Sequence, residues 1–326
     1  MPKMNRLFVA LCASALVAAS GAAPAQDKVK MGLFIASSAM PYFIALERGY
    51  FKAENLEVEG IPLATHPLIV QALVKGDIDT ASNLLSLEGA NINVLRPGTA
   101  QYFSVNCQNT NWKLEAFVVS AKNDKIKSLK DLKGSNIRVM SAPGPGNLLM
   151  ARGTLKALGL EEGKDFTLQE QPMAQHIPGI QSGQFEVAYT LEPVVSMMAH
   201  RGVARTLEAG VIATHILGRP DACAVLAGGV MSDKFLKERP QVAERLARAW
   251  AKALKDGNED PTARDLLAKH MNTAPEIAQT VPLSRYYMVR DFSPQQVADF
   301  QKLVDFAVEG GIVKSKIDVK SFLKTF

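Results

Sequence analysis

The chain has little cysteine, few aromatic residues and no long uninterrupted apolar run outside its first 25 residues. Three cysteines in 326 residues cannot staple a small disulfide scaffold and form no metal-type Cys-x-x-Cys pair. Aromatics at 7%, charged residues at 21% and hydrophobic residues at 47% exclude a disordered or collagen-like chain. The length suits about two domains of ~150 residues each. Catalytic signatures are also missing. There is no G-x-S-x-G elbow, no H-E-x-x-H, and no metal-ligand spacing among His66, His176, His200, His215 and His270. No metal and no cofactor is expected. The 37 Lys and Arg exceed the 32 Asp and Glu by a small margin, and their scatter makes no nucleic-acid footprint.

The first 25 residues read as a signal peptide. No acidic residue precedes Asp27, Lys3 and Arg6 open the chain, and Leu7 to Ala19 are apolar apart from Ser14. Ala23-Pro24-Ala25 has the small-x-small spacing of a cleavage site, which places the mature start at Gln26. The apolar run is too short to span a bilayer. Cys12 follows Leu11 rather than a small residue, so a lipoprotein anchor is not expected. Export leaves Cys107 and Cys223 in an oxidising compartment. We read them as two buried small hydrophobes in preference to a disulfide, because 116 residues of separation say nothing about geometry.

Two stretches share one logic. Lys28 to Phe34 reads as a strand, Ala36 to Pro41 as a small-residue break, and Tyr42 to Phe51 as a helix. Leu56 to Glu59 is a strand. A helix starting at Thr65-His66-Pro67 ends at Gly76, and Asp77 to Ala81 enters another strand. From Asn136 the order repeats. A strand to Met140 is followed by a loop to Asn147, a helix from Leu148 to Leu158, and strands at 166–169 and 183–188. Gly-x-Ile-Asp-x-Ala at 76–81 returns as Gly-x-Phe-Glu-x-Ala 107 residues later. Strands alternating with helices imply βαβ units and parallel sheets, here in two α/β lobes. Beyond Gly229 the chain turns helical. Val242, Leu246, Trp250 and Leu254 form a core stripe, and Ser293-Pro294 opens a last helix ending at Gly310-Gly311.

Ligands in open α/β sheets bind beyond the carboxyl ends of the strands, beside helix N-termini. Those loops carry mainly small and polar residues, among them Ser37, Ser38, Thr65, Asn83, Ser141, Asn147, Gln175 and Thr190. Gly144-Pro145-Gly146 lacks the third glycine of a dinucleotide fingerprint, since Leu149 stands there, and reads as a cradle for an anion or polar group. With no Arg or Lys in these loops, an anion would rest on N–H groups near Ser38 and Gly146. A small organic acid or sulfonate is the expected ligand. Tyr42 and Tyr189 could flank a ring, although core packing is the commoner fate of tyrosine.

Pro41 to Phe51, Asn55 to Val58, Gln71 to Asp79 and Ser128 to Gly134 resemble ABC-transporter substrate-binding proteins of the sulfonate, nitrate and taurine type. The resemblance runs from about Val29 to the C-terminus. It implies a two-lobed periplasmic binding protein (Venus-flytrap) fold, with lobe 1 at 26–117 and 225–326, lobe 2 at 118–224, and a helical C-terminal region. The chain would cross near Phe117 to Ser120 and return near Ala224 to Ala227. By motif, the ligand contacts would be Ser37, Ser38, Met40, Tyr42, Thr65, His66, Asn83, Pro143, Gly144, Gly146, Asn147, Tyr189, Thr190 and Glu192. The implied partners are a small-molecule ligand and an ABC permease in the inner membrane, for a periplasmic monomer. Relatives that make a pyrimidine precursor carry a cysteine-rich iron motif, which Cys107 and Cys223 alone cannot supply. An enzyme would need a nucleophile–base pair such as His66 with Ser37 or Ser38. A ligand-sensing partner of a membrane receptor would use the same fold.

Overall fold

The computed structural model describes residues 25–326. The expected leader therefore lies outside the described residues except for Ala25. Residues 27–108 run through β1 (Asp27–Leu33), α1 (Met40–Glu47), α2 (Tyr50–Ala53), β2 (Leu56–Pro62), α3 (His66–Lys75), β3 (Thr80–Leu85), α4 (Ser86–Leu95), β4 (Gln101–Tyr102) and β5 (Ser104–Gln108). Next come β6 (Glu115–Ser120), β7 (Ile137–Ser141), α5 (Pro145–Ala157), β8 (Phe166–Glu170), α6 (His176–Gln181), β9 (Val187–Leu191), α7 (Val194–His200) and β10 (Ala204–Ala209). The chain closes with β11 (Ala224–Met231), α8 (Asp233–Glu238), α9 (Pro240–Glu259), α10 (Asp265–His270), α11 (Pro275–Ala278), β12 (Arg285–Met288) and α12 (Pro294–Glu309).

The strands form two sheets. One has the order β12-β5-β11-β3-β1-β2, with β4 paired to β11, and the other β10-β6-β9-β7-β8. In each, three parallel strands come from the repeated βα units: β2-β1-β3 and β8-β7-β9. Antiparallel strands extend each set, because β11, β5 and β12 add to the first and β6 and β10 to the second. Helices cover both, giving the α/β architecture expected.

Local chemistry explains the element ends. Thr65 caps α3 by accepting the N–H of Leu68 at 3.4 Å, Pro67 sits in the first turn, and Gly76 stops the helix at φ 78°. Ser293 and Gln296 form a reciprocal capping box on α12. Strands β3 and β9 begin three or four residues later than expected. The N–H of Asp77 closes α3 on the carbonyl of Ala72, and that of Phe185 closes α6 on Gly179, so these residues belong to helix ends. The α9 stripe is buried as expected, with Trp250 donating to Ser104 Oγ at 2.9 Å. Burying each such large side chain stabilises by about 1.5–3 kcal/mol.

The chain passes between the sheets over 109–114 and returns over 210–223. The expected change of lobe at 117/118 falls inside β6, because Glu115 and Ala116 already pair with Leu191 and Thr190. The one at 224/225 falls one residue into β11. The reading of two unpaired cysteines is corrected. Cys107 lies opposite Val225 on neighbouring strands. That brings Cys223 alongside, and the two form a disulfide with Cα atoms 4.9 Å apart.

The two lobes are in contact. Gly153 of α5 faces the Phe306 ring of α12, and Gly310 faces Leu149 of α5, both too closely for a Cβ. A single buried apolar cluster therefore runs from Phe34 and Leu85 through Leu149 and Val187 to Phe300.

Candidate functional site

The segments beyond the carboxyl ends of β1, β2 and β3 meet those beyond β7 and β9 along one seam. Two hydrogen bonds cross it. The N–H of Ser37, after β1, donates to the Glu192 carbonyl at 3.0 Å. The N–H of Gly146, in the first turn of α5, donates to Glu88 Oε1 of α4, also at 3.0 Å. The approach at Gly146 requires glycine. A Cβ there would lie 2.6 Å from Glu88 Oε2 and 2.7 Å from Leu85 Cδ2. Gly144 precedes it at φ 105°, a conformation that side chains disfavour.

Four buried polar atoms in the turns and first helical turns beside this seam have no partner: Ser37 Oγ, Ser86 Oγ and Glu88 Oε2 from the first lobe, and Asn147 Oδ1 from the second. A buried polar group left unpaired costs about 1–3 kcal/mol, and such groups occur where something else completes them. Neither Ser86 nor Glu88 was among the expected contacts. Glu88 sits in the first turn of a helix, where an acid normally complements the dipole in solvent.

The expected residues divide into two groups. Ser37, Gly144, Gly146, Asn147 and Glu192 stand at the seam. Pro143 supports them, its carbonyl accepting from Asn147 Nδ2 at 2.7 Å. Ser38 and Asn83 instead form an internal brace. Asn83 Oδ1 accepts the Phe34 N–H at 3.1 Å, while its Nδ2 donates to the Phe34 carbonyl and to Ser38 Oγ, each at 2.8 Å. Asn83 is fully used in tying β1 to β3. Met40 and Tyr42 belong to the first lobe's core, and the Tyr42 hydroxyl donates to the Val58 carbonyl at 3.3 Å. Thr65 is spent as a helix cap. Tyr189 packs on Phe117, with its ring 5.2 Å away and its hydroxyl buried. Thr190 pairs with His176 Nδ1 at 2.8 Å.

His66 is not aimed at a serine. Its Nδ1 accepts the Leu85 N–H at 3.3 Å, and its ring lies against Phe34 at 4.4 Å. Burial holds its pKa down at about 3, so the imidazole is neutral. Burial pushes His176 down to about 4, against the opposing effect of bonds to the Gln171 and Ser141 backbone. The two seam carboxyls move the other way. Burial raises Glu88 to about 7, with Gly146 N–H opposing and Glu170 adding to the rise. Burial likewise raises Glu192 to about 7, against the opposing bond from Ser196. Among the described residues no group of His, Cys, Asp and Glu is disposed to hold a metal, and no helix is long and apolar enough to cross a membrane.

The family model described as NMT1/THI5 like matches residues 36–264. The chain belongs to the NMT1/THI5-like family. No curated protein matches it. Among solved structures, this NMT1/THI5-like chain is similar to the alkanesulfonate-binding protein SsuA from Xanthomonas axonopodis pv. citri, bound to MOPS. The TM-score is 0.71 at 15% identity, over 93% of this chain and 99% of that one. It is also similar to the periplasmic nitrate-binding protein NrtA from Synechocystis PCC 6803, with TM-score 0.73 at 18% identity, over 91% and 84%. A third is the periplasmic aliphatic sulphonate binding protein SsuA from Escherichia coli, with TM-score 0.71 at 16% identity, over 93% and 92%. The fold is that of the periplasmic binding proteins.

Proposed function

We propose that this chain is an exported, monomeric solute-binding protein. It would capture a small solute between its two lobes in the periplasm and deliver it to the permease of an ABC importer. The observation that carries this reading is the set of unpartnered buried atoms at the seam, contributed by both lobes. A solute touching both would complete those atoms and favour the closed arrangement. The likeness of the fold to proteins described as sulfonate- and nitrate-binding supports it. The competing enzyme reading loses its candidate pair, since His66 has its Nδ1 engaged by the Leu85 N–H rather than by a serine.

The expectation of an anionic solute, an organic acid or sulfonate, rested on backbone N–H groups and hydroxyls near Ser38 and Gly146. Glu88 holds the Gly146 N–H there, so that part of the expectation loses its support.

A thermal-shift screen of organic acids, sulfonates, nitrate, amines, amidines and pyrimidines tests the reading. A bound solute should stabilise by about 2.7 kcal/mol at a hundredfold excess over Kd and be recovered unchanged. Chemical conversion of a stoichiometric solute would overturn it.

A further inference from the structure

The buried groups around the seam are lopsided in charge. Glu88 and Glu192 are 7% and 4% exposed, and among the described residues no lysine or arginine is buried. Glu88 Oε1 takes the Gly146 N–H at the positive end of a 13-residue helix. That is the place an anionic ligand group would seek, and the chain fills it with its own carboxyl. An anion brought to the same corner would face Glu88 Oε2 rather than free N–H groups.

With the Glu88 carboxyl ionised, the form a cationic donor group beside it favours, the unpartnered atoms there are chiefly acceptors. Glu88 Oε2 comes from the first lobe. Asn147 Oδ1 comes from the second, next in sequence to Gly146. The Asn147 amide has its nitrogen fixed on the Pro143 carbonyl at 2.7 Å, which leaves its oxygen as the free end. Ser86 Oγ, two residues before Glu88, can serve as donor or acceptor.

We propose that this corner selects a solute bearing a nitrogen donor group, an amidine, guanidine, amine or primary amide, and that Glu88 sets the preference. Glu88 Oε2 and Asn147 Oδ1 accept N–H groups of the solute from opposite lobes. The same donor group both identifies the solute and holds the lobes together. Solutes with acceptor oxygens only leave both atoms unpaired, and a site built to hydrogen-bond a group discriminates strongly against the analogue lacking it. The inference rests on the solute-binding reading above.

Isosteric pairs test it by titration calorimetry on the mature chain: guanidinium against nitrate, acetamidinium against acetate, and benzamidine against benzoate. The donor member of each pair should bind at least tenfold more tightly. Glu88→Gln, checked for an unchanged fold, should lower donor affinity at least tenfold and narrow the ratio within each pair. Glu88→Asp, which keeps the charge and shortens the reach, should fall between. The parent's own ratios need no variant. Acceptor-only members binding as well as their partners, or a ratio unchanged in Glu88→Gln, would overturn the proposal and leave solute binding standing. Binding by neither series also overturns it, and the wider thermal screen then decides separately whether the solute-binding reading survives.

Discussion

Cys107 and Cys223 tie the outgoing and returning passages between the lobes to each other. Cys107 ends next to the residue where β5 leaves the first sheet, and Cys223 immediately precedes β11. The covalent loop between them encloses the whole second sheet, so the bond sits at the base of the passage about which the lobes would move.

Loss of this disulfide should destabilise the chain. Closing a loop of about 100 residues constrains the unfolded chain by up to about 4.7 kcal/mol in the entropic model, and measured losses run at about 2–5 kcal/mol. Urea denaturation of the oxidised parent and of the Cys107→Ser, Cys223→Ser double variant reads the difference. Equal stabilities would contradict a formed bond.

Asn83 should behave as a structural residue. Its amide pairs with both backbone groups of Phe34 and with the Ser38 hydroxyl. Asn83→Ala leaves these buried groups unpaired and should cost about 3 kcal/mol of stability. A variant as stable as the parent that merely fails to bind solute would assign Asn83 to the ligand instead.

Glu88 gives stability a pH dependence with a definite sign. Its pKa rises from the ordinary 4.5 to about 7 in the folded chain, so the folded state holds a proton that the unfolded state releases. That contribution is present below pH 4.5 and is lost as pH rises through about 7, by about 3 kcal/mol in full. Gly146 N–H opposes the rise, while Glu170 and the nearby Tyr102 hydroxyl are the other titratable groups involved. His66 and His176 lose stability in the opposite direction, on acidification, so the parent's profile alone is a mixture. Relative to Glu88→Gln, the parent should lose stability between pH 4.5 and 7. A constant difference between the two would contradict the burial of this carboxyl.

Much of the frame was legible because local chemistry dictates it. Thr65 with Pro67, Gly76, and Ser293 with Pro294 mark helix ends by caps and a left-handed glycine, whatever the rest of the chain does. The repeated Gly-x-Ile-Asp-x-Ala and Gly-x-Phe-Glu-x-Ala stretches mark matching units, although their strands start later than alternation suggests. The seam was only half legible. Gly144, Gly146 and Asn147 announce a tight loop, whereas Glu88 reads as an ordinary acid in a helix's first turn. Its contact with Gly146 of α5 in the other lobe is something no local pattern reports. Asn83 and Tyr42 read as a loop residue and a helix start of the right kind, yet Asn83 lies within β3, and their partners Phe34 and Val58, 49 and 16 residues away in sequence, claim them for the interior. The pairing of Cys107 with Cys223 depends likewise on β5 and β11 becoming neighbours.

Gly146 offers the most direct test of the two-lobed clamp, because a side chain there collides with Glu88 and Leu85 of the opposite lobe. Small-angle scattering of the parent and of Gly146→Leu, each with and without the solute that most stabilises the parent, measures closure itself. The account predicts that the parent compacts on saturation, while Gly146→Leu stays extended and binds at least a hundredfold more weakly. No compaction of the saturated parent, or a Gly146→Leu chain that closes and binds like the parent, would contradict it.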